Sequence, residues 1–224
     1  MNTIDQRPQA GARDRVRLAV DVGIAAVPIV GGPVQLLASK VIQPHLQKRH
    51  DEWLDRLATV VAGIEQQLGE LDLERIAEND LFVSAVIEST KIAYGTHLEA
   101  KLEMLQAVLL NIATTPKSDD FLALRFLGFV DELAPEHFSL LAYAVAPMAW
   151  HPDWSDSDVA SGRALIDEAN LDLASEVVDV VVADLAARSL IDAASLPGTT
   201  SGSDALAPFA TDLGRELIEF VKVI

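Results

Sequence analysis

The sequence predicts an all-α protein: a long antiparallel helix pair, shorter helices packed around it, and a small winged-helix-like module at the C-terminal end. Three observations predict it. The apolar content is mostly Leu, Val, Ala and Ile with only 5% aromatic residues, a composition suited to packed helices. Apolar residues recur at spacings of three and four over long stretches, the period of one helix face. Asn, Asp, Thr and Pro stand where helices have to begin.

The elements follow in order. Residues 1–12 are polar and read as a disordered tail. A helix starts near Arg13 and reaches "PIVGGP", where two glycines before a proline mark one helix end and a new start at Pro33. Residues 18–42 therefore read as helix, elbow, helix. The second helix is expected over 33–68 with a kink at Pro44. Beyond Pro44 its apolar face is Leu46, Trp53, Leu57, Val60, Ile64 and Leu68. Lys48, Arg49, Asp51, Glu52, Asp55 and Arg56 occupy the other side and read as solvated surface.

Asn79 or Asp80 caps a long third helix over 80–114, with an apolar stripe of Val83, Ile87, Tyr94, Leu98, Leu102, Leu105, Leu109 and Ile112. Two helices of this length on a short link should pair antiparallel. Ser118 or Asp119 caps a helix over 119–133, and Pro135 starts another. "HPDWSDSD" is a loop. These signals divide the chain into a helical domain over 13–150, a connecting segment over 151–170, and the winged-helix-like module over 171–224. In that module "LASEVVDVVVADLAARS" is a helix and "RSLI" and "ALAPFA" are short strands. The loop over 195–204 is the wing, and Thr211 caps the last helix.

The ending "LAARSLI … LAPFATDLGRELIEFV" carries two spaced patterns: Leu-x-x-x-x-Leu-Ile at a helix end, then Thr-x-x-Gly-x-x-x-x-x-Phe after a loop. Together with "HLEAKLEMLQAVLLNIA" and "DELAPEHFSLL" it resembles the abortive-infection alpha family of bacterial helical proteins associated with phage defence. The resemblance extends over the last two thirds of the chain and includes no catalytic motif. It implies a helical fold and a role in phage defence.

Chemistry is sparse. There is no phosphate-binding Gly-x-x-x-x-Gly-Lys, no dinucleotide fingerprint and no Gly-x-Ser-x-Gly elbow. The chain has no cysteine, which excludes disulfides, thiolate metal sites and thiol catalysis. His45 and His50 lie far apart around their helix and do not share a metal. His97, Glu99 and Glu103 read as a solvated face, and Glu136 beside His137 as a favourable charge at a helix start. No catalytic residue, metal site or cofactor is expected.

Net charge is −17, unevenly spread. Residues 1–60 hold 8 Lys/Arg against 6 Asp/Glu, and the remainder holds 9 against 28, so a slightly basic start precedes a strongly acidic body. That body repels phosphates and anionic lipid. The helix that would enter a DNA groove carries three acids and one Arg, so no nucleic acid is expected at the winged-helix-like module. No cleavable leader is convincing, and the expected location is the cytoplasm, with membrane association in one state.

One stretch stands apart. Val22 to Ser39 is 18 residues without a charged side chain. Each arm of the elbow, about 9–12 residues at about 1.5 Å each, is too short for a ~30 Å hydrocarbon layer. The candidate contact residues for a membrane or a partner are Val22, Ile24, Val27, Pro28, Ile29, Val30, Gly31, Gly32, Pro33, Val34, Leu36 and Leu37. The leading expectation is a non-enzymatic interaction or effector protein of bacterial phage defence or stress response that uses these residues on a membrane or partner protein. The alternative is a soluble cytosolic adaptor that self-associates, with the N-terminal helices permanently buried.

Overall fold

The computed structural model describes residues 43–222, apart from 69–74, 77, 116–118, 156, 170, 172, 197 and 199. Among them the chain is mostly helical, as expected: eight α-helices, three 3₁₀ turns and two strands of two residues. The polar tail, the first helix, the elbow and all twelve candidate contact residues from Val22 to Leu37 lie outside the described residues. The chain divides into two compact units, one reaching to Asp131 and the other Glu132–Lys222. The sequence boundaries at 150/151 and 170/171 both fall inside the second.

The first unit begins with α1 (Gln43–Leu68). Pro44 stands in its first described turn, where a missing N–H costs little. The expected face is largely the buried one: Trp53, Leu57, Val60 and Ile64 are core residues, Leu46 is half-buried and Leu68 is exposed. Next come α2 (Asp80–Gly95) and α3 (Glu99–Thr114). Asn79 caps α2, its Oδ1 accepting from the N–H groups of Leu81 at 2.9 Å and Phe82 at 3.3 Å.

The single helix expected over 80–114 is thus two helices. Gly95 ends α2, Thr96 is extended, and its Oγ1 accepts from the Leu98 N–H at 3.2 Å, a local turn that competes with helix. The apolar spacing of Tyr94, Leu98 and Leu102 runs straight across this break, which is why periodicity conceals it. The buried face of α2 is also rotated from the expected stripe. Leu81, Phe82, Ala85, Val86, Ser89, Thr90 and Ala93 are buried, while Val83 and Ile87 are half-buried. On α3 the expected Leu105, Leu109 and Ile112 are core. Helix α4 (Asp120–Glu132) is capped by Asp119, whose Oδ1 accepts from the Leu122 N–H at 3.0 Å.

The second unit begins with α5 (Pro135–Val145), whose proline occupies the first helical position as expected. A 3₁₀ turn at Pro147–Trp150, strand β1 (Val159–Ala160) and helix α6 (Gly162–Glu168) follow. The sequence reading leaves α6 in its connecting segment. Ser161 caps it by accepting from the Ala164 N–H at 3.2 Å, and Leu165 and Ile166 anchor it in the core. Then come α7 (Ser175–Ala187), a 3₁₀ turn at Ala193–Ser195, β2 (Thr200–Ser201), a 3₁₀ turn at Gly202–Leu206, and α8 (Asp212–Val221). Helix α5 packs against both α7 and α8.

Strands β1 and β2 pair antiparallel, Val159 opposite Ser201 and Ala160 opposite Thr200. The expected strands "RSLI" and "ALAPFA" meet only as a bridge between Ile191 and Ala210. The wing therefore pairs with a segment that the sequence reading treats as a connection.

The C-terminal pattern has a physical basis. Helix α7 ends in a Schellman-type cap: the Ser189 N–H reaches the Ala186 carbonyl at 2.9 Å and the Leu190 N–H reaches the Leu185 carbonyl at 3.0 Å. Ser189 takes the left-handed conformation this requires, at φ 59°. Leu185 and Leu190, the two leucines of Leu-x-x-x-x-Leu-Ile, are both fully buried, as the apolar pairing that accompanies such a cap requires. Thr211 then caps α8 by accepting from the Gly214 N–H at 3.1 Å, while its hydroxyl donates to the Ser189 carbonyl at 2.7 Å.

Candidate functional site

The described part of the first unit holds a cleft of about 330 Å³ at the break between α2 and α3. Helix α1 contributes His45, Lys48, Arg49, Glu52 and Trp53, α2 contributes Ala93, and the break and α3 contribute Thr96, His97, Glu99 and Leu102.

Long-range bonds build its walls. Arg49 Nη1 donates to the Tyr94 carbonyl at 2.7 Å, and His50 Nδ1 lies 2.6 Å from the Tyr94 hydroxyl. Beneath them the buried Trp53 Nε1 donates to Thr90 Oγ1 at 3.0 Å, and Thr90 in turn donates to the Val86 carbonyl at 2.7 Å. Arg56 pairs with Glu99 and donates to Gln106 Oε1 at 3.0 Å. Lys48 and Glu52 form an exposed pair at 3.5 Å.

Arg49 and Arg56, read from sequence as solvated surface, are therefore half-buried and turned toward α2 and α3. His97 and Glu99, also read as a solvated face, line the cleft with residues some fifty positions earlier; Glu103 does not. The sequence signal that could have located the cleft is Gly95-Thr96, a helix-ending pair inside an otherwise continuous apolar pattern. Among the described residues no group of three His, Asp or Glu side chains could hold a metal ion. Lys101, on α3, donates to the Asp131 carbonyl at 2.7 Å. Its pKa is lowered by burial, an effect partly opposed by the Asp131 charge.

In the second unit an aromatic group surrounds a buried histidine. His151 Nε2 lies 3.4 Å from the Tyr143 hydroxyl, and both rings meet edge to face. Phe209 and Trp150 flank Tyr143, and Trp154 flanks His151. Burial, aided by the charge of Glu168, pushes the Tyr143 pKa up to about 12. Trp154 Nε1 donates to the Gly202 carbonyl at 3.0 Å and so ties the 151–158 loop to the base of the wing. Asp192 titrates below its ordinary range because the Ser195 hydroxyl and the Ala194 N–H donate to it. His137 Nε2 lies 3.3 Å from Asp184 Oδ2, and its Nδ1 is buried without a partner among the described residues.

Helix α7 shows solvent an acidic and apolar face. Glu176, Val177, Asp179 and Val180 are exposed along it, and Asp179 is held by Arg163 of α6. Among the described residues no helix is long and apolar enough to cross a membrane.

No family model, curated protein or solved structure matches the chain.

Proposed function

We propose that this chain is a non-enzymatic interaction or effector protein of a bacterial defence or stress system, acting in the cytoplasm through its apolar N-terminal helices. The observation that carries this reading is the Val22–Ser39 run, 18 residues with no charged side chain in a chain of net charge −17. An apolar stretch of that length needs a cover, and its Gly31-Gly32-Pro33 elbow favours a hairpin that packs over a rod that spans. A protein partner is therefore the leading cover, and a membrane surface the second.

The make-up of each unit fits this role. We read α1 and α2 as the antiparallel pair of the first unit, because bonds from Arg49 and Trp53 reach Tyr94 and Thr90 in descending order. We read the second unit as winged-helix-like over its whole length. Its order is helix, strand, helix, helix, wing, helix, with β2 of the wing returning to β1. Helix α7 takes the place of a recognition helix in that order. Its exposed Glu176 and Asp179 would repel a phosphate backbone and its exposed Val177 and Val180 offer it no donor, so the module serves protein contact and no nucleic acid.

The test is fractionation of expressing cells, then size-exclusion of the fraction that holds the protein, for the wild type and for Val30→Glu and Gly31→Asp. The effector reading expects both variants to fold and to lose the partner or the membrane. If both variants unfold, the stretch is a permanent part of the core, because burying an unpaired carboxylate costs several kcal/mol. The self-associating adaptor then replaces the effector. Release from membranes only by detergent would identify lipid as the cover.

A further inference from the structure

The described first unit exposes three large apolar side chains, Leu68, Phe121 and Leu124, and two of them stand on α4. Phe121 is 74% exposed and Leu124 41%. Gly128 continues their line, and a Cβ there would meet nothing within 4 Å among the described residues. Positions 121, 124 and 128 are spaced three and four, so they fall along one face of the helix. That face lacks a cover among the described residues, and a phenylalanine so open to water forgoes most of the gain from burial.

An apolar segment adjoins this unit in sequence. Val22–Ser39 carries no charged side chain and leads into α1 through residues 40–42. The run and the face are complementary in charge. Arg13, Arg15, Arg17 and Lys40 bracket the run, against Asp14 and Asp21. On α4 the exposed Asp119 and Asp120 precede Phe121, and the exposed Asp131 follows Gly128. The one base between them, Arg125, lies over the Phe129 ring at 4.4 Å. A basic-ended apolar run thus suits an acidic-ended apolar face.

Chain length permits the contact. Helix α3 runs beside α1 in the same direction, with Arg56 bonded to Gln106 and Gly63 facing Leu110. Helix α4 returns along α3, since Lys101 Nζ donates to the Asp131 carbonyl at 2.7 Å. The Asp131 end of α4 is therefore level with the Glu52–Arg56 stretch of α1, no more than about 20 Å along that helix from Gln43. Residues 37–42, when extended, span about 20 Å. That leaves residues 22–36 to cross to α4.

We infer that the Val22–Leu37 run of this chain docks on the Phe121–Leu124–Gly128 face of α4 and is held there until a partner takes it. The release step rests on the effector reading. The docking gives the run a resting cover in its own chain, and a partner that captures the run bares the α4 face at the same time.

The chain has no cysteine, so one introduced thiol reports without background in the full chain. Gly128→Cys puts a thiol on the face where a Cβ has room, and Lys91→Cys puts one on an exposed position of α2. A water-soluble maleimide should alkylate the Gly128→Cys protein about tenfold more slowly than the Lys91→Cys protein, the protection expected under a docked segment. Adding Val30→Glu should bring the two rates together. A nitroxide on Ala26→Cys should broaden the amide NMR signals of residues 121–128 more than any others between 43 and 131. This probe adds no charge, so it decides the matter if Val30→Glu unfolds the chain, a result that overturns the effector reading alone. Equal alkylation rates without Val30→Glu, or broadening centred away from α4, would overturn the docking, and the effector reading would stand if the run still captures a partner. Broadening of α4 on an isotope-labelled chain by the nitroxide of a second, unlabelled chain would give the face to another copy and overturn it too.

Discussion

The carbonyl oxygen of Leu190 occupies the space that a Cβ on residue 214 would need, and Leu141 Cδ1 closes the same space at 3.0 Å. Gly214 therefore lets the first turn of α8 lie directly on the chain leaving α7. The Thr211 N–H, bonded to the same Leu190 carbonyl at 3.0 Å, draws the two segments together. The glycine is required by close approach, since no side chain fits between a backbone and a packed helix.

Gly214→Ala should destabilise the protein by roughly 3 kcal/mol, the upper range for overpacking, because the obstructing atom is backbone and cannot rotate away. The urea midpoint of purified protein measures it. A midpoint within error of the wild type would show that α8 can slide without penalty.

Ser189 is the one described non-glycine residue with positive φ, at 59°. Ser189→Gly should raise stability by about 0.5–1 kcal/mol by removing the left-handed strain. Ser189→Val should lower it by about 1–2 kcal/mol, since a β-branched side chain tolerates that region poorly. Thermal melts of the pair should shift in opposite directions.

Trp53 and Thr90 form a buried bond between α1 and α2. Thr90→Val keeps the volume but leaves the indole N–H without its acceptor, a loss of about 1–3 kcal/mol. Thr90→Ser keeps the hydroxyl and should lose much less. Chemical unfolding followed by tryptophan fluorescence separates the two, and a Thr90→Val protein as stable as the wild type beside a destabilised Thr90→Ser would mean that the methyl group, and not the bond, matters.

Alkaline pH should act through Tyr143. Its pKa is raised from 10.0 to about 12 in the folded protein, so its uncharged form is favoured by folding. The associated stability is fully present below pH 10 and is lost as pH rises from about 10 to 12, because the unfolded chain releases its proton first. The difference in melting temperature between the wild type and Tyr143→Phe should shrink or reverse over that window. A constant difference from pH 9 to 12 would exclude the effect.

Local chemistry made much of the helical pattern legible. Asn79, Asp119, Pro135 and Thr211 start helices because each supplies an acceptor or a fixed φ at a helix end, and that depends on a few neighbouring residues. The same reasoning missed α6, whose seven residues are too few for a periodic signal. It also carried one apolar pattern across Thr96–Leu98, where the spacing of Tyr94, Leu98 and Leu102 satisfies a helix that the Gly95-Thr96 turn interrupts.

The sequence by itself determined the helical class, most of the helix starts, the absence of thiol chemistry and the charge-free stretch, because composition, caps and charge are properties of short segments. The tertiary structure alone decided that Arg49 and Arg56 turn inward, that His45 and His97 share a cleft, and that β2 pairs with β1. Arg49 finds its acceptor 45 positions away and Arg56 finds Gln106 50 positions away. Such partners are chosen by which surfaces the packed helices bring together, and local periodicity carries no record of them.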